Sequence, residues 1–132
     1  MTHISRRKIT SIDYSHARKQ LVDVIAHLKI DGAAHLINGL LTEAEQVMLI
    51  KRFATILMFQ QDYSTYRVSQ AIGISTSTAR LIYEDYIAGR YDGLLSSIPK
   101  KQKSDFIKLV EDFMLSRVSM KARSRLTKRA LG

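Results

Sequence analysis

The 132-residue sequence contains no cysteine. That absence removes disulfides, thiolate metal sites and cysteine nucleophiles, and it fits a reducing compartment. Proline occurs once, at Pro99, and the six glycines are isolated, so no glycine-rich phosphate loop is present. Long apolar runs are also missing. The stretch Ala54-Thr55-Ile56-Leu57-Met58-Phe59 is typical, far short of the roughly 20 residues a membrane helix needs. The first ten residues carry Arg6, Arg7 and Lys8 with no apolar stretch behind them, which does not read as a signal peptide. A soluble cytoplasmic protein, without membrane attachment, is the expectation. The four histidines (His3, His16, His27, His35) show no His-Glu-x-x-His spacing, no nucleophile elbow occurs, and most carboxylates at helix starts read as caps. No enzyme, metal or cofactor is expected.

What is present is apolar and basic. Hydrophobic residues make up 45%, enough for a core, and 21 Lys and Arg stand against 12 Asp and Glu, a formal +9. That balance calls for an anionic partner, nucleic acid first and acidic membrane second. The charge is uneven. Residues 1–41 hold six basic and three acidic side chains, residues 42–94 five and six, and residues 95–132 ten and three. The pattern suggests a basic arm (1–12), a helical domain (13–94) and a basic helical extension (95–132).

Strand-type alternation is scarce, so the fold class reads as all-α. A first helix is expected from Asp13 to Lys29, with Ala17, Leu21, Val24, Ile25 and Leu28 on one face. Asp31-Gly32 would end it, and a short helix would follow over 33–39. Thr42-Glu43-Ala44-Glu45 is a capping box that opens a helix to about Gln61, with Val47, Ile50, Phe53, Ala54, Leu57 and Met58 inward. Short helices are expected over 65–72 and from Ser75 or Thr76 to about Ala88. In the extension, Phe106, Leu109, Val110 and Phe113 share a face suited to a core or a dimer surface, and Ser119 is placed to cap a further helix.

The segment Val68-Ser69-Gln70-Ala71-Ile72-Gly73-Ile74-Ser75-Thr76-Ser77-Thr78-Ala79-Arg80 reads as a helix-turn-helix. Small Ala71 lets the second helix approach, Gly73 supplies positive φ, and Ile74 fills the gap between the helices. In this motif the start of the second helix enters the major groove of DNA. Ser75, Thr76, Ser77 and Thr78 can bond phosphates or base edges there, Arg80 can contact phosphate or guanine, and Tyr66 and Arg67 lie on the first helix. Glu84 and Asp85 would repel DNA and are expected on the side away from the groove. Tyr83 and Tyr86 are expected beneath the reading helix. Additional phosphate contacts would come from Arg6, Arg7 and Lys8 and from Lys121, Arg123, Arg125, Lys128 and Arg129.

The stretch Leu36 to Leu94 resembles the Trp repressor family. The matching residues are Leu36-Ile37-Asn38, Leu40-Leu41-Thr42, Glu45, Arg52, Ser64-Thr65-Tyr66 and Gly73-Ile74-Ser75-Thr76-Ser77-Thr78. The capped helix before a helix-turn-helix also resembles LuxR-type and sigma-factor modules. The Trp repressor resemblance implies a helical bundle, an intertwined homodimer reading a palindromic site in double-stranded DNA, and an effector pocket. In that family an arginine on the capped helix lines the pocket, and Arg52 falls there. The second pocket arginine is replaced by Leu81, with Arg80 one position away, so a tryptophan corepressor is not expected; Arg52 would instead pair with Glu45 or another carboxylate. The expected function is a homodimeric transcriptional repressor. The alternatives are an adaptor that uses the helix-turn-helix as a protein-docking surface, and a nonspecific architectural DNA binder driven by its basic tail.

Overall fold

A computed structural model describes residues 10–131, with side chains to residue 115. Among these residues seven helices follow one another, α1 (Ser11–Ala26), α2 (Ile30–Leu40), α3 (Glu43–Gln60), α4 (Thr65–Ile72), α5 (Thr76–Ile87), α6 (Asp92–Ser97) and α7 (Lys100–Leu131). No strand occurs among the described residues, so the described fold is all-helical. None of these helices is long and apolar enough to cross a membrane. The chain divides into two compact units whose boundary in the sequence is Gln46/Val47.

The first unit is built by local signals. α1 begins at Ser11, two residues before the expected start, because Thr10 caps it: the Thr10 hydroxyl accepts from the Asp13 amide at 3.2 Å. The break between α1 and α2 falls at residues 27–29 rather than at Asp31-Gly32. Asp31 instead occupies the first turn of α2, where a carboxylate suits the positive end of the helix dipole. The capping box forms in full. The Thr42 amide donates to Glu45 Oε1 at 2.9 Å and the Glu45 amide donates to Thr42 Oγ1 at 3.1 Å. These donors hold the Glu45 carboxyl below its usual range, the Thr42 amide contributing most and the hydroxyl next. No residue from 10 to 46 is buried. The expected inward face of α1 lies open, with Leu21 47% and Val24 54% exposed.

The second unit owns the core. Ala54, Ile56, Leu57, Met58 and Phe59 of α3 are buried together with Val68, Ile82, Tyr91, Leu95 and Val110. The expected inward face of α3 holds at Ala54, Leu57 and Met58, but Val47 and Ile50 are exposed, while Ile56 and Phe59, outside that expectation, are buried. The last turns of α3 are surrounded on all sides, so a single stripe does not describe them. The extension expected from residue 95 is part of this core in its first half, because Leu95, Phe106, Ile107, Val110 and Met114 pack into it. α7 then continues unbroken past Ser119, so the further helix expected there does not begin at that residue.

Candidate nucleic-acid interface

α4 and α5 form the expected two-helix motif. Ser64 caps α4, its hydroxyl accepting from the Arg67 amide at 3.2 Å. Gly73 ends α4 in the left-handed region, φ 77°, as the turn requires. A methyl on Gly73 would meet only Lys51 Nζ, at 3.7 Å, so the glycine answers to backbone conformation and not to crowding.

Two bonds that the sequence reading missed lock this turn. Buried Ser69 donates its hydroxyl to the Ile74 carbonyl at 2.7 Å, and Lys51 of α3 donates Nζ to the Gly73 carbonyl at 3.0 Å. The first spans five residues and the second 22, so no local pattern announces them. Together they satisfy two carbonyls that the chain reversal would leave open. Val68 of α4 and Ala79 of α5 are both fully buried, so the helix pair meets through small and branched side chains.

The four hydroxyls at the start of α5 divide into two roles. Ser75 is the cap: its Oγ accepts from the Thr78 amide at 3.1 Å and donates to Thr78 Oγ1 at 2.8 Å. Ser75 and half-buried Thr78 are thus engaged in shaping the helix start. Thr76, Ser77 and Arg80 are exposed, Ser77 Oγ lying within hydrogen-bond distance of the Ser75 cap at 3.2 Å. Ser77, Arg80, Leu81 and Glu84 follow i, i+3, i+4, i+7 spacing and share the outward face of α5. Glu84 therefore stands on the face expected to be free of acidic groups, two turns from the hydroxyls. Asp85 is directed elsewhere, accepting from Arg90 Nη1 at 3.1 Å.

On α4, Tyr66 and Arg67 are exposed, and the Arg67 guanidinium lies 5.2 Å from the centre of the Tyr63 ring. Tyr83 and Tyr86 pack on the inner side of α5 against Phe59, at 5.1 and 6.0 Å between ring centres, as expected of residues beneath the reading helix. Arg52 is exposed on α3 and has no ion-pair partner among the described residues, so the expected pairing with Glu45 or another carboxylate does not form. Arg6, Arg7 and Lys8 lie outside the described residues, as do the side chains of Lys121, Arg123, Arg125, Lys128 and Arg129. Among the described residues no group of three or more His, Asp or Glu gathers to hold a metal.

No protein-family model matches the chain, and searches of curated proteins and of solved structures found no match.

Proposed function

We propose that this protein is a sequence-specific DNA-binding transcriptional regulator, acting as a homodimeric repressor with a Trp repressor-like arrangement of its helices. The observation that carries the reading is the locked turn between α4 and α5, which presents Thr76, Ser77 and Arg80 on one exposed helix start. A helix N-terminus with exposed hydroxyls and an arginine matches what a major-groove reader needs: amides and hydroxyls for phosphate, a forked donor for guanine. The basic charge at both ends of the sequence would add phosphate contacts that carry no sequence information.

The dimer is supported by apolar surface without cover. α1 and α2 bury nothing, and in the second unit Val47, Ile50, Ile72 and Leu109 line an open apolar groove of about 510 Å³. Isolated helices of 16 and 11 residues are marginal in water without packing partners. A second copy would cover both surfaces and place two reading helices on a palindrome.

The test is selection of duplexes from a random DNA pool at near-physiological salt, for the wild type and for Arg80→Ala and Ser77→Ala. An enriched palindrome with half-sites about one helical turn apart, lost in both variants, is the expected result. One observation favours a second reading. The outward face of α5 carries Leu81 and Glu84 beside Arg80, a mixed surface more typical of protein docking than of DNA. If the selection enriches nothing and Arg80→Ala leaves DNA binding unchanged, the adaptor reading takes its place.

A further inference from the structure

Two hydrogen bonds hold the turn between α4 and α5, and they differ in origin. The Ser69 to Ile74 bond is internal: donor and acceptor both belong to the motif, and Ser69 is buried. The Lys51 to Gly73 bond comes from α3, 22 residues away in sequence. Lys51 is half-buried and has no ion-pair partner among the described residues. Its acceptor stands at the C-terminal end of α4, where the helix dipole is negative and an ammonium is favoured.

Lys51 belongs to a second feature as well. It lines the apolar groove of the second unit, and among the described residues that do so it is the one with a charge. Ile72, the last residue of α4 and the neighbour of Gly73, lines the same groove. The groove therefore reaches the turn twice, through the chain at Ile72 and through the lysine head. The lysine stem contributes to the apolar wall while its ammonium ends on the carbonyl.

In an open groove water competes for that ammonium. Apolar cover removes the competitor, and Val47, Ile50, Ile72 and Leu109 offer no side-chain acceptor. The Gly73 carbonyl then becomes the partner the ammonium must keep, and their bond strengthens as the local dielectric falls. The Ser69 bond, already buried within the motif, has no such dependence on the groove.

We propose that Lys51 is a positioning residue that couples groove and turn: a second copy seated on the groove tightens the Lys51 bond to Gly73 and so sets α5 for DNA. The coupling rests on the dimeric DNA-binding reading above. It makes dimerisation a regulator of the reading helix, beyond the gain from joining two half-sites.

The test compares wild type, Lys51→Met and Lys51→Arg in the full chain. Methionine keeps an unbranched apolar stem and removes the donor and the charge. A charge under apolar cover is costly, so by sedimentation Lys51→Met should dimerise as tightly as wild type or more tightly. It should nonetheless bind the duplex selected by wild type about tenfold more weakly, with Lys51→Arg within about threefold of wild type. The slope of affinity against salt should not change, because the ammonium serves a carbonyl and not a phosphate. A second readout needs no DNA. The Gly73 and Ile74 amides donate to the Ser69 carbonyl at 3.0 and 3.3 Å. Their hydrogen exchange should slow as wild-type concentration rises through the dimerisation range, and Lys51→Met should lack that response.

Equal DNA affinity of wild type and Lys51→Met would overturn the proposal, as would a flatter salt slope, which would place Lys51 on phosphate. So would parallel losses of dimer and DNA binding in Lys51→Met, which would make the lysine structural only. If wild type selects no duplex, the DNA reading fails by itself. Exchange at Gly73 and Ile74 that depends on concentration in wild type and not in Lys51→Met would then still uphold the coupling, and exchange that ignores concentration in both would end it.

Discussion

Residues 10–46 and residues 47–115 both place apolar side chains at helical spacing, yet only the second region buries them. α1 carries Leu21, Val24 and Ile25 on one stripe and leaves all three about half exposed; α3 carries Ala54, Leu57 and Met58 on another and closes over them. The difference is not in the pattern but in what the chain supplies to cover it. α3 has α4, α5, α6 and α7 contributing to one cluster, whereas nothing in residues 10–46 reaches burial. Amphipathic spacing identifies a face that needs cover and is silent about where the cover comes from.

The largest expected effect exploits this contrast. Leu57 is 1% exposed, and Leu57→Ala should destabilise the fold by about 2–5 kcal/mol through lost transfer energy and a residual cavity. Leu21→Ala, in an isolated chain, should change stability by less than about 0.5 kcal/mol. If a second copy covers α1, the same substitution lowers the Tm in a manner that depends on protein concentration. Denaturant melts at two concentrations a hundredfold apart distinguish the cases, and identical small effects at both would break the dimer reading.

A polar group inside the core gives a smaller effect of opposite sign. Thr55 is fully buried and its hydroxyl has no hydrogen-bond partner among the described residues. Thr55→Val removes an unsatisfied donor and acceptor while keeping the branched shape, and should stabilise by about 1 kcal/mol. A loss of stability on melting would mean that the hydroxyl is satisfied in solution.

Two glycines sharpen the comparison further, because the same substitution should act in opposite directions. Gly73→Ala forces a methyl into the left-handed region and should cost about 1 kcal/mol, though the space around it is open. Gly39, inside α2, has no atom near the site of an added Cβ, and Gly39→Ala should stabilise by roughly 0.5–1 kcal/mol by restricting the unfolded chain. Destabilisation at Gly39 would show that α2 is packed against something in solution, which is itself evidence of a covering partner.

Local chemistry was legible in the sequence where it is local. The caps at Ser64 and Ser75, the turn at Gly73 and the box at Thr42 and Glu45 each follow from residues within four positions of one another. Boundaries failed where two signals competed: Asp31-Gly32 reads as a stop, but an aspartate also suits a first turn. The site itself was half legible. The hydroxyl run 75–78 was recognised, but its division into cap and exposed groups depends on which oxygen wins the Thr78 amide. The Lys51 to Gly73 bond joins residues brought together only by packing, and no spacing rule reaches it. Repulsion from an expected partner does not orient Glu84; helical phase sets its face, which it shares with Ser77 and Arg80.

The smallest expected effect concerns pH and the boundary between the two regions. Glu45 is fully exposed, and its carboxyl is held low by the Thr42 amide and then the Thr42 hydroxyl. A carboxyl lowered on folding contributes stability above its unfolded value, near 4.3, and that contribution fades as pH falls through the lower folded value. Wild type should therefore be slightly more stable than Glu45→Gln at pH 6, and the gap should close as the pH is taken from about 5 down to 3. Thr42→Ala should cost about 1 kcal/mol at pH 6, and in its background Glu45→Gln should have no remaining pH-dependent effect, because the donors and the acceptor act as one unit. Thermal melts of the four proteins across that range provide the check. A wild-type to Glu45→Gln gap that persists at pH 3 would show that Glu45 acts through its shape and not its charge. A gap that widens on acidification would reverse the sign of the argument and remove the capping box as its source.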